Sequence, residues 1–167
     1  MQQPSKFTPI IISSSIIIII SLFPIVNLIN LLCCGGVLIG VFAGTSYYNS
    51  KLKQAEQTIQ YKDGMAIGLL SGVVSALFIV AGTTLISMVA NQNPIPELFK
   101  MIDSNGLNVP PEAERFLQKI SDEYGKNGFS ITLTLITLVS DIIIYPMFGL
   151  LGGLLSVSIL SKRNAAQ

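Results

Sequence analysis

Between Lys6 and Lys51 lie 44 consecutive residues without a charged side chain. As one α-helix rising about 1.5 Å per residue, that stretch would run about 66 Å, twice a hydrocarbon core of roughly 30 Å. The chain must therefore turn back inside it. The one cluster of helix breakers is Phe23–Asn30, with Pro24, Asn27 and Asn30, and the turn has to reach the interface because unsatisfied backbone is costly in lipid. This predicts a first helix over about 8–27 and a second over about 31–49. Lys6 followed by an apolar run is the pattern of a signal peptide, but no small-residue cleavage site follows, so the first segment is expected to be a retained signal anchor.

Composition extends the reading to the whole chain. Only 11% of its 167 residues are charged and half are hydrophobic, with a mean hydropathy of +0.64. A soluble domain carries about a quarter charged residues, so the expected class is an all-α, polytopic membrane protein. A third span is predicted over about 64–90, opening at Tyr61-Lys62-Asp63 with Asp63 as its N-cap. The last apolar run has 35 residues between Lys126 and Lys162, broken only by Asp141. A single long helix over about 129–161 is expected there, kinked at Pro146. The fold expected is thus one membrane domain of four transmembrane helices.

Residues 91–127 form the sizeable extramembrane loop. Asn93-Pro94 should open a short helix with Ile95, Leu98, Phe99 and Ile102 on one face, ended by Gly106. Pro110-Pro111-Glu112 should open a second, with a stripe of Ala113, Phe116, Leu117, Ile120 and Tyr124. Such stripes lie on the membrane surface, pack on the bundle ends, or dock a partner.

Four spans place both termini and residues 50–63 on one side of the membrane. That side holds Lys6, Lys51, Lys53, Lys62, Lys162 and Arg163, whereas the loop holds Lys100, Arg115, Lys119 and Lys126 outweighed by six acids. The positive-inside rule then assigns both termini to the cytoplasm.

Glycines recur every four residues on two neighbouring segments: Gly36, Gly40 and Gly44, then Gly64, Gly68 and Gly72 continued by Ala76. This spacing keeps each set on one helix face and lets another backbone approach closely. Because the two helices are consecutive and antiparallel, the ladders are expected to meet, with Gly40 facing Gly68. Gly149, Gly152, Gly153 and Ser156 form a third small-residue patch.

Chemistry is sparse. The chain has no histidine, which removes an imidazole haem ligand, a histidine zinc site and a Ser-His or Cys-His nucleophile from this chain. A net charge of +1 without a basic face argues against nucleic acid. Cys33-Cys34, adjacent and in an apolar run, read as small packing residues. Asp141 is the one acid in an apolar helix, hence a transport candidate, although twenty residues back from Lys162 leave it at the outer interface. No catalytic residue, cofactor or metal site is expected, and the partners expected are the lipid bilayer with a membrane protein or a second copy of the chain.

Three sequence stretches carry a resemblance: Tyr61-Lys62-Asp63-Gly64 entering a glycine-spaced helix, the outer segment led by Asn93-Pro94, and Phe148-Gly149-Leu150-Leu151-Gly152-Gly153 near a basic end. In this order they resemble a bacterial family of small four-helix membrane proteins of unknown function. The resemblance implies a multi-pass location in a bacterial inner membrane and supplies no active residues. The function expected is a non-catalytic scaffold or accessory subunit; the alternative is a small oligomeric transporter or channel, its path lined by Asp141, Thr83, Thr84 and Ser87.

Overall fold

A computed structural model describes residues 4–23, 35–90, 93, 95–105 and 110–165. Among them every regular element is a helix, with α1 Phe7–Leu22, α2 Gly35–Gln54, α3 Tyr61–Ala90, α4 Ile95–Ser104, α5 Pro111–Asn127 and α6 Ile131–Ala165. The expected turn at Pro24, Asn27 and Asn30, the Cys33-Cys34 pair, Pro94 and Gly106 lie outside the described residues. By length and composition, two helices among the described residues can cross a membrane, Tyr61–Ala90 and Ile131–Asn164. The expectation of four such spans therefore meets two: described α1 has 16 residues, and α2 carries Lys51 and Lys53 in its last turn.

Two compact units make up the chain, Met1–Ile79 with Ser140–Gln167, and Val80–Val139. In the first, α1, α2, the start of α3 and the end of α6 enclose a core. One cluster holds Tyr48, Leu52, Ile59, Ile67, Val157 and Leu160, and another holds Ile17, Val37, Val41 and Ile79. The Lys6–Asp63 ion pair and the Asn49–Asn164 amide pair join the starts of α1 and α3, and the ends of α2 and α6, respectively. Tyr48 Oη donates to the Pro4 carbonyl at 3.4 Å and ties the end of α2 to the start of α1. The up-and-down order thus gathers Lys6, Lys53, Lys62 and Arg163 at one end of this unit.

The small residues decide which helices touch, and they correct the expected pairing. A β-carbon at Gly40 would lie 2.6 Å from Ile17 Cγ1, and one at Gly44 would overlap Ser13 Oγ and the Pro9 carbonyl. The ladder of α2 therefore packs on α1. On α3, β-carbons at Gly64, Gly68 and Gly72 would run into the backbone of Gly153, Gly149 and Tyr145. Each step of four along α3 is matched by a step of four backwards along α6, so the two helices interlock antiparallel. Gly40 faces Ile17 rather than Gly68. Sequence adjacency suggested the α2–α3 contact, but each glycine face can serve any neighbour in a four-helix unit.

A line of serines holds α1 to α3. Ser14 Oγ donates to its own helix at Ile10 at 2.8 Å and reaches the Ser71 carbonyl at 3.4 Å. Ser75 Oγ reaches the Ser14 carbonyl at 3.5 Å, and Ser14, Ser71 and Ser75 are all buried. Small hydroxyls that satisfy helix carbonyls allow this approach without leaving unpaired polar groups.

In the second unit the two amphipathic stripes of the loop face each other. Ile95 from α4 and Ile120 and Tyr124 from α5 form a cluster covered by Phe99, Leu117 and Leu133. Phe116, expected on the α5 stripe, is 42% exposed and lies off it. Gly128 ends α5 at φ 74°, a left-handed conformation suited to glycine, and its N–H donates to the Tyr124 carbonyl at 2.9 Å.

Candidate functional site

Asp63 was expected to cap α3 from just outside the helix. It lies inside, at the third helical position, where its carboxylate accepts the Gln60 backbone N–H at 3.1 Å, the return half of a capping box. The other oxygen meets Lys6 Nζ at 2.7 Å, and Asp63 is 1% exposed. The pair is a structural clasp between two helix starts, with its carboxylate occupied on both sides. Among the described residues it is the one salt bridge.

Asp141 is half-buried and has no hydrogen-bond or ion-pair partner among the described residues. Residues Ile131–Ser140 precede it in the same continuous helix. Pro146, expected to kink α6, lies within that helix against Gly72.

Thr83, Thr84 and Ser87 do come together. With Thr134, Thr137 and Tyr124 they line a cavity of about 210 Å³ in the second unit. Thr84 and Thr134 hydroxyls stand 3.5 Å apart, while Thr84 also donates to the Val80 carbonyl at 2.7 Å. Such a wall offers hydroxyl oxygens to water or a small polar solute. Asp141 is not among its lining residues.

The same unit holds an acid that sequence reading passed over. Glu123 near the end of α5 accepts Ser130 Oγ at 2.6 Å, Thr132 Oγ1 at 2.6 Å and the Thr132 N–H at 2.9 Å. Ser130 in turn accepts the Leu133 N–H at 3.1 Å, so the two side chains jointly cap α6. These hydrogen bonds, first from Ser130 and then from Thr132, pull the Glu123 carboxyl down to about 2 from 4.5. An acid seven residues before a serine is not a capping spacing, and only the Gly128 reversal brings them together.

A second feature not read from sequence lies between α2 and α6. An apolar groove of about 270 Å³ runs past Leu38, Ile39, Phe42, Leu155 and Ile159, with Gly152 and Ser156 also in its wall. At Phe42 it meets a polar pocket of about 260 Å³ that includes Ser46, Asn49, Lys53, Arg163 and Asn164. Asn49 and Asn164 exchange hydrogen bonds, 3.1 Å in one direction and 3.5 Å in the other. Two asparagines and two cations at the ends of apolar helices were visible in the sequence as singletons; their convergence needed the helix pairing. Among the described residues, no group of three His, Cys, Asp or Glu side chains is arranged to hold a metal.

No family model, curated protein or solved structure matches this chain.

Proposed function

We propose that this chain is a non-catalytic multi-pass protein of the bacterial cytoplasmic membrane, a scaffold or accessory subunit of a membrane assembly. The observation that carries this reading is the outer face of α6. Its most apolar window is only 28% buried, and Leu135, Val139, Ile143, Met147, Leu151 and Leu155 are exposed. The core helix of a soluble protein hides such a face; one this long and apolar calls for lipid or another membrane helix. Glycine-on-glycine contact between α3 and α6 supports the same reading, because close backbone packing is how helices associate where lipid removes the hydrophobic drive.

Four crossings are part of the proposal. Leu38 and Val41 of α2 pack beside Gly152 of α6, and α1 packs on α2 at Gly40 and Gly44, which supports grouping both with the spanning helices. The basic residues gathered at one end of this unit then favour cytoplasmic termini. The resemblance to small four-helix bacterial membrane proteins is part of the same proposal. Native mass measurement after extraction in mild detergent tests it: co-migration with a heterologous membrane complex is expected, and a lone monomer would contradict it.

The threonine-lined cavity favours a second reading, an oligomeric transporter or channel for a small solute. A homo-oligomer in the same measurement, together with solute flux in proteoliposomes that Thr84→Val abolishes, would favour it. Asp141→Asn separates the two readings further, since a scaffold tolerates it and a proton-coupled flux does not.

A further inference from the structure

We propose that the cleft between α2 and α6 is a binding site for one anionic phospholipid, its acyl chain in the groove and its phosphate in the adjoining polar pocket. The inference rests on the membrane reading above and adds a ligand to it. Three observations carry it. First, the apolar and polar compartments adjoin: Phe42 lines both, which suits a single amphiphile laid end to end. Second, the polar end is chemically one-sided. Lys53 and Arg163 line it from the last turns of two different helices and, among the described residues, no acid does. Basic pockets between membrane helices on the cytoplasmic side are where anionic headgroups bind. The guanidinium of Arg163 offers a planar fork for phosphate oxygens, and among the described residues it has no ion-pair partner. Third, donors stand ready beside the cations. The Asn49–Asn164 exchange engages one N–H of each amide and leaves the other, and behind the pocket wall the buried Ser46 hydroxyl has no hydrogen-bond partner among the described residues.

Gly152 is what keeps the apolar end open. A β-carbon there would come within 3.2 Å of Leu38 Cδ2, and a larger side chain would fill the groove. Ser156 Oγ donates to the Gly152 carbonyl at 2.6 Å, which hides its polarity from the acyl chain. Small and self-satisfied residues thus line a channel bordered by Leu38, Phe42, Leu155 and Ile159.

The test uses the full chain in mild detergent, titrated with phosphatidylglycerol or phosphatidylcholine of identical acyl chains and followed by native mass spectrometry. Phosphatidylglycerol should be retained in preference to phosphatidylcholine. Lys53→Ala with Arg163→Ala should weaken its retention about tenfold or more and erase the preference, as expected for two cations facing an anionic lipid. Lys100→Ala with Lys119→Ala changes the net charge equally and should leave retention intact. Gly152→Leu should reduce retention of both lipids. Equal retention of the two lipids by the unmodified chain, equal losses in the two charge-pair variants, or displacement of the lipid by inorganic phosphate alone would each overturn the site. A chain that fails to integrate into bilayers at all removes the membrane reading; one that integrates and shows no anionic preference removes only this inference.

Discussion

Gly68 and Gly149 meet backbone to backbone: a β-carbon on either would overlap the carbonyl of the other. The contact can exist only while both positions lack a side chain, which makes it sensitive to a single methyl group. Gly68→Ala and Gly149→Ala should each destabilise the protein by about 1–3 kcal/mol, as overpacked sites do. Both push the same helices apart, so the double variant should cost clearly less than the two single variants added together. Gly40→Ala with Gly68→Ala should be additive within about 0.5 kcal/mol, because one faces α1 and the other α6. Thermal unfolding in mild detergent of the unmodified protein, the three single variants and the two double variants closes both cycles, and strong coupling between Gly40 and Gly68 would restore the pairing expected from sequence.

Lys6 and Asp63 should behave as a unit. Lys6→Ala leaves a buried carboxylate with one backbone partner and should cost about 3 kcal/mol, the lower end for breaking a buried pair. Lys6→Met combined with Asp63→Leu removes both charges and should cost less than Lys6→Ala alone. Thermal unfolding midpoints of the two variants give the comparison.

The turn after α2 ends on a strained residue. Glu56 adopts φ 54°, and the Gln57 N–H to Leu52 carbonyl bond at 2.9 Å with the Glu56 N–H to Lys53 carbonyl bond at 3.1 Å marks a Schellman ending. Glycine is the residue this position favours. Glu56→Gly should therefore stabilise the protein by about 1 kcal/mol, whereas Glu56→Val should destabilise it. Paired midpoints from chemical unfolding decide the sign.

Glu123 predicts a pH dependence. Its carboxyl is lowered on folding to about 2 from 4.5, so its stabilising cap is fully present above 4.5 and is lost as pH falls through about 2. Amide hydrogen exchange at Thr132 and Leu133 should accelerate as the pH drops through that window, beyond the intrinsic pH effect. Glu123→Gln should remove that acid-dependent part. Unchanged protection in that variant would assign the cap to Ser130 alone.

Much of the helix content was legible because apolar runs between charges give length directly. The two loop helices follow from local chemistry, a Pro-Pro-Glu opening and an apolar stripe every three or four residues, whereas α3 begins at Tyr61, three residues before the start expected from Asp63 as its cap. Helix ends were less legible. The second helix passes Lys51 and continues to Gln54, because long basic side chains tolerate a helix end that leaves the apolar region. Partners were the least legible: four-residue glycine spacing says that a close neighbour exists and leaves its identity open, so Gly40 found Ile17 and Gly68 found Gly149. The Glu123 cap and the Lys53–Arg163 pocket join residues distant in sequence, and no local pattern encodes them. Thr83, Thr84 and Ser87 were grouped from sequence with Asp141, which does not line their cavity, and not with Thr134 and Thr137, which do.

If α3 and α6 cross the membrane in opposite directions, as proposed, Lys119 and Lys162 lie on opposite sides of it. Single cysteines at Lys119 and Lys162, in a background with Cys33 and Cys34 replaced by serine, test it with a membrane-impermeant maleimide. Labelling of position 119 in intact spheroplasts, with position 162 labelled only after permeabilisation, is the predicted result. Equal labelling of both positions before permeabilisation, or release of the protein from membranes by alkaline carbonate, would contradict it.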